Sequence, residues 1–332
     1  MQKNPLVSII TGIFNGQDML EECYRSVVAQ TYKKFEWLVV DDQSTDNSLD
    51  MISNWQDARI RVLQTATNTK GPAAPRNLAV AKSNGDYIAI LDQDDTWSAD
   101  KLERQLEFME NHKDVGLLSS NLRIVGDYEQ KHKRPGIRKP GLTFPVSDEI
   151  YRENPFLSSA IIMRRFAVEN VGGFDEHPQV RGRDEWELAI RISLKYRTAF
   201  NGDHIAGIHR LHKSNLSHCI SSFVGMDYIR DKHDHHFSDS LMRSVRARDC
   251  YNRARDALNS GAMAIFDEQI SKATSYRSFY KWKGLFLKYK KVLHSSDSKE
   301  AAQYFLLSQS ENFTAGAATK YGERLSNKPL RF

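Results

Sequence analysis

Cysteine is scarce in this chain of 332 residues, which contains only Cys23, Cys219 and Cys250. Their odd number, their wide separation and the absence of a Cys-x-x-Cys pair argue against a disulfide framework, a zinc site or a dithiol redox site. The sequence also lacks a run of about 18 apolar residues, the length that a transmembrane helix needs. Its first residues contain no apolar stretch like that of a signal peptide. These absences predict a cytoplasmic protein.

A large excess of positive or negative charge is also missing. The chain has 47 Lys or Arg and 42 Asp or Glu, so its formal net charge is +5, which does not predict binding to nucleic acid. A Gly-x-Gly-x-x-Gly motif is absent after the first predicted strand, and this argues against a nicotinamide-dependent oxidoreductase. The hydrophobic content of 40% and the charged content of 27% are typical of a globular protein with a sizeable core.

Strand and helix patterns alternate along the first part of the chain. Apolar runs predict strands, and apolar residues at three-four spacing predict helices between them. The predicted strands are residues 6–14, 35–40, 60–64, 86–91, 115–125, 156–164 and one or two within 198–211; the main helices are 20–30, 49–55, 76–83, 101–111 and 184–196. This alternation predicts an α/β fold with a mostly parallel sheet and helices on both faces.

Two of these strands run directly into clusters of carboxylates. The first reads Leu38-Val39-Val40-Asp41-Asp42, and the second reads Ile88-Ala89-Ile90-Leu91-Asp92-Gln93-Asp94-Asp95. Open parallel sheets bind ligands at the carboxyl ends of their strands, and oxygen ligands of this kind suit Mg²⁺ or Mn²⁺ better than zinc. The structural alternative is a capped helix start at 42–48 and a solvated turn at 92–95. Two clusters on adjacent strands favour a metal and nucleotide site.

The strand pattern stops near Ser217, and residues 218–332 are predicted to form a helical extension. Residues 271–296 contain seven Lys or Arg and no Asp or Glu. Apolar and aromatic side chains recur there at heptad-like spacing, at Phe279, Trp282, Phe286, Tyr289 and Leu293. A basic amphipathic helix of this kind either packs on the protein core or contacts a membrane surface. A homodimer through the extension is a further alternative.

The motifs of residues 5–217 closely resemble those of glycosyltransferase family 2. The resemblance is carried by Val7-Ser8-Ile9-Ile10, Phe14-Asn15-Gly16, Ser26-Val27-Val28-Ala29-Gln30-Thr31-Tyr32, Phe35-Glu36-Trp37-Leu38-Val39-Val40-Asp41-Asp42, Ser44-Thr45-Asp46-Asn47-Ser48, Arg76-Asn77, Gly85-Asp86-Tyr87-Ile88-Ala89 and Leu91-Asp92-Gln93-Asp94-Asp95. It implies a GT-A fold, with a nucleotide-binding half at 1–97, an acceptor-binding half at 98–217 and the extension at 218–332.

The resemblance also implies roles for residues on the donor side. The implied nucleotide contacts are Thr11, Phe14, Asn15, Asp42, Arg76, Asp92 and Asp94, with Asp42 at the nucleobase and Asp94 toward the ribose. The implied ligands of Mn²⁺ or Mg²⁺ are Asp94, Asp95 and His212, with Asp95 as the most direct ligand. The family resemblance favours UDP as the nucleotide, carrying a hexose or an N-acetylhexosamine.

On the acceptor side, the family places an aspartate as general base in a Glu-Asp pair that opens a helix. Here the order is reversed, and counting back from Arg191 puts Glu185 in the position of the base and Asp184 beside it. The alternatives are that Asp184 is the base, or that both acids only cap the helix. Gly172 and Gly173 are predicted to line the acceptor site, and Trp186 is predicted either to stack on the acceptor sugar or to lie in the core.

The function that the resemblance implies is inverting transfer of a sugar to a hydroxyl of a glycan or lipid-linked acceptor, in the biosynthesis of a surface polysaccharide. The expected location is the cytoplasm, with peripheral contact to the inner face of the cell membrane. The reversed Asp184-Glu185 pair leaves a second hypothesis, a protein that binds a sugar nucleotide or a glycan and has lost catalysis.

Overall fold

The computed structural model describes residues 4–126, 141–212, 215, 221–277, 280 and 283. By its internal contacts the chain divides into two compact units, one that ends at His233 and one that begins at Asp234. The strands are β1 (Val7–Ile13), β2 (Phe35–Asp41), β3 (Ile60–Gln64), β4 (Tyr87–Ile90), β5 (Thr96–Trp97), β6 (Val115–Gly126), β7 (Leu142–Thr143), β8 (Ile162–Arg164) and β9 (Arg197–Leu211). The helices of the first unit are α1 (Leu20–Val28), α2 (Ser48–Ser53), α3 (Ala73–Lys82), α4 (Lys101–Asn111), α5 (Ser147–Arg152), α6 (Arg165–Glu169), α7 (Asp184–Ser193) and α8 (Ser221–His233).

The strands in the described residues form one sheet in the order β3-β2-β1-β4-β8-β6-β9-β5, with β7 paired to β9. The half β3-β2-β1-β4 is parallel, and β6 is parallel to β9. The antiparallel members are β5, β7 and β8. The predicted α/β class with a large, mostly parallel sheet and helices is therefore confirmed.

Side-chain alternation along β1 explains why helices cover both faces. Successive residues of a strand point to opposite faces of the sheet. Ile9 and Ile13 lie in one buried cluster with Leu20 and Cys23 of α1. On the opposite face, a Cβ added at Gly12 would lie 3.1 Å from Cβ of Pro75 in α3, so α3 approaches the strand closely.

Strand register brings the predicted site together at one edge of the sheet. Ile13 of β1 pairs with Asp41 of β2, and Ile10 of β1 pairs with Ile90 of β4. Because these strands are parallel, the segments that follow them leave the sheet at the same edge. Those segments carry Phe14 and Asn15, Asp42, and the acidic residues Asp92 to Asp95.

The prediction of a strand over residues 156–164 is wrong for most of its length. Only Ile162–Arg164 is a strand, and Ser158–Ala160 forms a 3-10 turn closed by a hydrogen bond from the Ile161 N–H to the Ser158 carbonyl. An apolar run of this length does not by itself specify a strand. Residues 197–211 form a single long strand rather than two.

The second unit contains the helices α9 (Asp239–Ser260) and α10 (Met263–Tyr276) in its described residues. The Ser238 hydroxyl accepts a bond from the Leu241 N–H at the start of α9, and Gly261 ends α9 with φ 81°.

The predicted continuous helix over 271–296 is wrong at Arg277, whose backbone is extended. The apolar and aromatic positions of that predicted helix lie outside the described residues; they are Phe279, Trp282, Phe286, Tyr289 and Leu293. Among the helices that are described, none combines the length and the apolar character needed to cross a membrane.

Candidate active site

Hydrogen bonds join the loop after β1 to the loops after β4 and β2. The side-chain amide of Gln93 accepts from the Phe14 N–H at 2.8 Å and donates to the Phe14 carbonyl at 3.1 Å. Asn15 has a positive φ of 50°, and its side-chain oxygen accepts from the Thr45 N–H at 2.8 Å. Phe14 and Asn15 therefore lie at the same sheet edge as both acidic segments, and the Phe14 ring is exposed.

Asp42 organises the segment that follows β3. Its carboxylate accepts bonds from the Thr65 hydroxyl at 2.8 Å and from the N–H and hydroxyl of Thr69 at 3.0 Å and 2.9 Å. The side chain is buried, and the residue forms no helix cap, so the capped-helix alternative is wrong for Asp42. A nucleobase contact at this position stays a prediction.

The carboxylates of Asp92, Asp94 and Asp95 converge. Each offers an oxygen that lies within 4.8 Å of the others, and no other such group of three His, Cys, Asp or Glu residues occurs in the described part of the chain. Asp92 and Asp94 are partly exposed, whereas Asp95 is 1% exposed. The exposure of Asp92 and Asp94 is what the solvated-turn alternative expects, whereas the buried Asp95 does not fit it.

Asp95 is held by three donors that the sequence pattern did not reveal. The Ser159 hydroxyl donates to Oδ2 at 2.6 Å, the Arg210 N–H donates to Oδ1 at 2.9 Å, and Nδ1 of His209 lies 3.1 Å from both oxygens. Ser159 also accepts from the Asp92 N–H at 3.0 Å. These bonds orient Asp95, and a carboxylate oxygen can accept more than one contact.

His212 lies beside Asp94, as the resemblance implies. Its Nε2 is 2.8 Å from Oδ2 of Asp94, and the side-chain amide of Asn215 donates to the same oxygen at 2.9 Å. The sheet therefore brings together two predicted metal ligands that are far apart in the sequence. Asn215 is a further neighbour that was not predicted.

Arg76 connects the acidic cluster to the start of α7. Its guanidinium donates to Oδ1 of Asp92 and to Oδ2 of Asp184, both at 2.5 Å, and its side chain is buried. Burial lowers the pKa of Arg76, but the carboxylates of Asp184 and Asp92 outweigh this effect and raise the pKa above the ordinary arginine value. Arg76 is therefore a permanent cation between the two acidic regions.

Asp184 and Glu185 are adjacent in the sequence but differ in their surroundings. Asp184 is 0% exposed and ion-paired to Arg76, and burial raises its pKa while Arg76 offsets part of the effect. Glu185 is partly exposed and accepts a bond from the Asn154 side chain at 3.2 Å. Burial, and then the charge of Asp184, raise the pKa of Glu185 to about 7. Of the pair, Glu185 has the accessibility and the pKa that suit a general base.

Asn77, the neighbour of Arg76, holds the glycine turn. Its side-chain oxygen accepts from the Phe174 N–H at 2.8 Å, and its amide donates to the Phe174 carbonyl at 2.9 Å. Gly172 and Gly173 both have positive φ, and a Cβ at Gly173 would lie 2.7 Å from Oδ1 of Asn77. Glycine is therefore required at 173 both by conformation and by space.

Two predicted contacts need correction. Trp186 is 2% exposed, and its indole N–H donates to the Ile150 carbonyl at 2.7 Å, so it lies in the core and an acceptor contact is wrong. Thr11 is 1% exposed, and its hydroxyl accepts from the Trp37 indole at 2.9 Å. A nucleotide contact through the Thr11 side chain is therefore wrong in this structure.

Comparison with known proteins identifies the family. A family model described as glycosyl transferase family 2 matches residues 8–172. The chain is 40% identical, over 214 residues, to an Escherichia coli protein named UDP-Glc:alpha-D-GlcNAc-diphosphoundecaprenol beta-1,3-glucosyltransferase, and the alignment covers 64% of this chain and 80% of that protein. The chain belongs to glycosyltransferase family 2. Alignments to the first relatives cover between 42% and 80% of their lengths.

Solved structures share the fold of this glycosyltransferase. Residues 1–349 of S. aureus TarS in complex with UDP-GlcNAc superpose with a TM-score of 0.67 and 17% identity, covering 92% of this chain and 93% of that one. Mannosyltransferase PcManGT from Pyrobaculum calidifontis in complex with GDP-Man and Mn²⁺ gives 0.60 and 17%, covering 92% and 86%. At these identities the likeness establishes the GT-A fold alone.

A second buried carboxylate on α7 anchors helix α8 of the glycosyltransferase. Glu187 is 0% exposed and contacts Lys232 at 2.7 Å, His233 at 3.0 Å and Arg191. Burial raises the pKa of Glu187, but the bonds from His233 and Arg191 outweigh burial and lower the pKa to about 2. The sequence predicted α7 without revealing this role, because Lys232 and His233 meet Glu187 only in the folded protein.

We expect Glu187 to contribute to acid sensitivity. A carboxyl pKa that is lower in the folded state stabilises the fold at pH values above 4.5, the pKa of the unfolded state. This stabilisation is lost as the pH falls toward 2. Between pH 6 and pH 3 the loss from this group is roughly 2 kcal/mol. Urea unfolding at both pH values should show a smaller decrease in Glu187→Gln than in the wild type. Glu169→Gln, at an exposed ion pair, is the matched control, and an equal decrease in all three proteins would contradict the expectation.

Proposed function

We propose that this glycosyltransferase transfers a hexose or an N-acetylhexosamine from a UDP-sugar to a hydroxyl of a glycan or lipid-linked acceptor, with a divalent cation and with inversion. One observation carries the proposal. Arg76 joins Asp92 of the acidic cluster to Asp184, the residue next to Glu185, so the donor residues and the general base share one site.

The donor assignment is supported by position and by the names of similar proteins. Asp42, Phe14 and Asn15 lie where parallel sheets bind nucleotides, at the carboxyl ends of their strands. The Escherichia coli relative is named for UDP-Glc, and TarS was solved with UDP-GlcNAc. We therefore propose UDP as the nucleotide, with Asp42 toward the base and Arg76 near the nucleotide.

The residues of the acidic cluster fit a divalent cation. Carboxylate oxygens of Asp92, Asp94 and Asp95 lie within 4.8 Å of one another, and hard oxygen donors suit Mn²⁺ and Mg²⁺. We assign the cation to Asp94, Asp95 and His212. When bound, the cation offsets negative charge that develops on the diphosphate leaving group. Ser159 and His209 orient the Asp95 carboxylate for this role.

Glu185 is assigned as the general base on the acceptor side. The acceptor hydroxyl must lose its proton as its oxygen attacks the anomeric carbon, and a base with a pKa near the working pH performs this transfer best. Glu185 has a pKa raised to about 7 and is partly exposed. Asp184 stays ion-paired to Arg76 and keeps the start of α7 in place. Gly172 and Gly173 are assigned to the acceptor side, where Asn77 holds their turn.

The acceptor class rests on similarity alone. The Escherichia coli relative is named for a sugar linked to diphosphoundecaprenol, so we propose a lipid-linked glycan at the inner face of the membrane, in the biosynthesis of a surface polysaccharide. Membrane contact through residues 271–296 and a homodimer stay predictions from the sequence, because most of that segment lies outside the described residues.

The test is a panel of nucleotide sugars incubated with the full chain, with and without Mn²⁺. We expect slow, Mn²⁺-dependent release of UDP from one UDP-sugar, because water replaces the missing acceptor. Release should stop when a chelator is added. Donor binding without release above the background rate, in the presence of Mn²⁺ and a range of acceptors, would instead favour a binding protein that has lost catalysis.

A further inference from the structure

A cleft separate from the acidic cluster lies between α8 and the 3-10 turn Pro178–Val180. It has a volume of about 310 Å³, within the range of small-molecule sites, which is roughly 300–1,000 Å³. Its lining residues are Gln179, Val224, Asp227, Tyr228, Asp231 and Lys232. All of them belong to the first unit, and none has a role in the proposed donor site.

The chemistry of the lining suits a sugar. Asp227 and Asp231 bring carboxylate acceptors, and Gln179 brings both a donor and an acceptor, a combination that matches the hydroxyl groups of a saccharide. Tyr228 adds an aromatic ring, which stacks on the ring of His177 with 4.3 Å between the ring centroids. Lys232, the cation of this lining, is already paired with Asp175 and Glu187, which disfavours its use for a phosphate or a uronate.

The walls of the cleft are fixed by buried or partly buried bonds. Lys232 contacts Asp175 at 2.6 Å and Glu187 at 2.7 Å, and the Tyr228 hydroxyl donates to Asp175 at 2.8 Å. A Cβ at Gly225 would lie 2.8 Å from the Gln179 carbonyl, so α8 approaches the turn as closely as a glycine allows. Preformed walls reduce the entropy lost when a ligand binds.

A short segment of chain connects the cleft to the proposed base. Gln179 precedes Glu185 by six residues, so their Cα atoms are at most about 20 Å apart. A Cβ added at Gly225 would lie 3.3 Å from Cδ of the intervening Arg183, whose carbonyl closes the first turn of α7. A short oligosaccharide can span this distance from the reacting hydroxyl.

We infer that this cleft binds a neutral sugar residue of the acceptor, one that is remote from the hydroxyl that reacts. The inference rests on the proposed function for the identity of the acceptor. It adds the place where a second part of that acceptor is recognised, and it restricts the acceptor to glycans that carry an uncharged residue at this distance from the acceptor hydroxyl.

The experiment is a saturation-transfer NMR titration of the full chain, with UDP and Mn²⁺ present to fill the donor site. The probes are methyl α-D-N-acetylglucosaminide, which is neutral, and methyl α-D-glucuronide, which is anionic. We expect saturable binding of the neutral probe and at least several-fold weaker binding of the anionic one. Asp231→Asn, which removes an exposed carboxylate, should weaken the neutral probe about tenfold, and Gln179→Ala should weaken it less.

Asp239→Asn, an exposed aspartate on α9, is the matched control and should bind the probe as the wild type does. Circular dichroism and the thermal midpoint establish that each variant is folded. Absence of saturable binding by the neutral probe, equal binding of both probes, or neutral-probe binding that both cleft variants leave unchanged would overturn the inference. The proposed function fails separately, through absent release of UDP by the wild type, so the two failures are distinguishable.

Discussion

Glu185→Gln should lower the rate of sugar transfer by a factor of about 10² to 10⁴, the usual contribution of a general base. The reason is that glutamine cannot accept the proton of the acceptor hydroxyl, while its size and its bond with Asn154 are kept. The donor KM should change little, because the ion pairs that connect Arg76 to Asp92 and Asp184 do not include Glu185. Steady-state kinetics with the UDP-sugar found in the panel measure both quantities.

The pH profile gives an independent test of the same assignment. Because the pKa of Glu185 is about 7, the wild-type kcat should rise as the pH increases through 7 and the base becomes ionised. The residual kcat of Glu185→Gln should not rise with pH in this range. A variant that keeps the wild-type rate and profile would remove Glu185 from the mechanism.

Asp184→Asn should lower the free energy of unfolding by about 3 kcal/mol or more, the usual cost of removing one partner from a buried ion pair. The substitution leaves the buried Arg76 cation with Asp92 as its remaining carboxylate partner among the described residues. Urea denaturation at pH 8, analysed with a common m-value, measures the change. Transfer activity should fall as well, because the start of α7 carries the proposed base.

Glu185→Gln is the matched control for this experiment, since it removes the same charge from the next residue of the same helix. Burial disfavours the ionised form of Glu185, so its removal at pH 8 should leave stability unchanged or increase it. If Asp184→Asn were as stable as the wild type but inactive, and Glu185→Gln were active, the general base would be Asp184.

The parallel half of the sheet could be predicted because most of its strands are largely buried. β1, β2 and β4 are rich in apolar residues, and the helices between them have clear three-four spacing, so each element is specified locally. The segment 156–164 is different. Its 3-10 turn places Ser159 against Asp92 and Asp95, and that requirement is tertiary, so local pattern alone predicted a strand.

The same distinction separates the site residues. Asp94 and His212 were predicted from motifs, and the fold brings them within 2.8 Å. His209 and Ser159 were not predicted, because nothing in their local sequence marks them as partners of Asp95. For Trp186 the sequence left an acceptor contact and a core position as alternatives, because it does not specify which side of α7 faces the core.

Consecutive residues of α3 determine which segments of related enzymes can be exchanged. Arg76 contacts Asp92 and Asp184, while Asn77 holds the backbone at Phe174. The two residues precede residue 98 in the chain, but most of their partners follow it. A chimera that joins residues 1–97 of this protein to the remainder of another family member must therefore keep the matching acid and turn in the second parent. Arg76 and Asn77 add this requirement to the bonds that Asp94 and Asp95 already make with His212 and Ser159 across the same boundary.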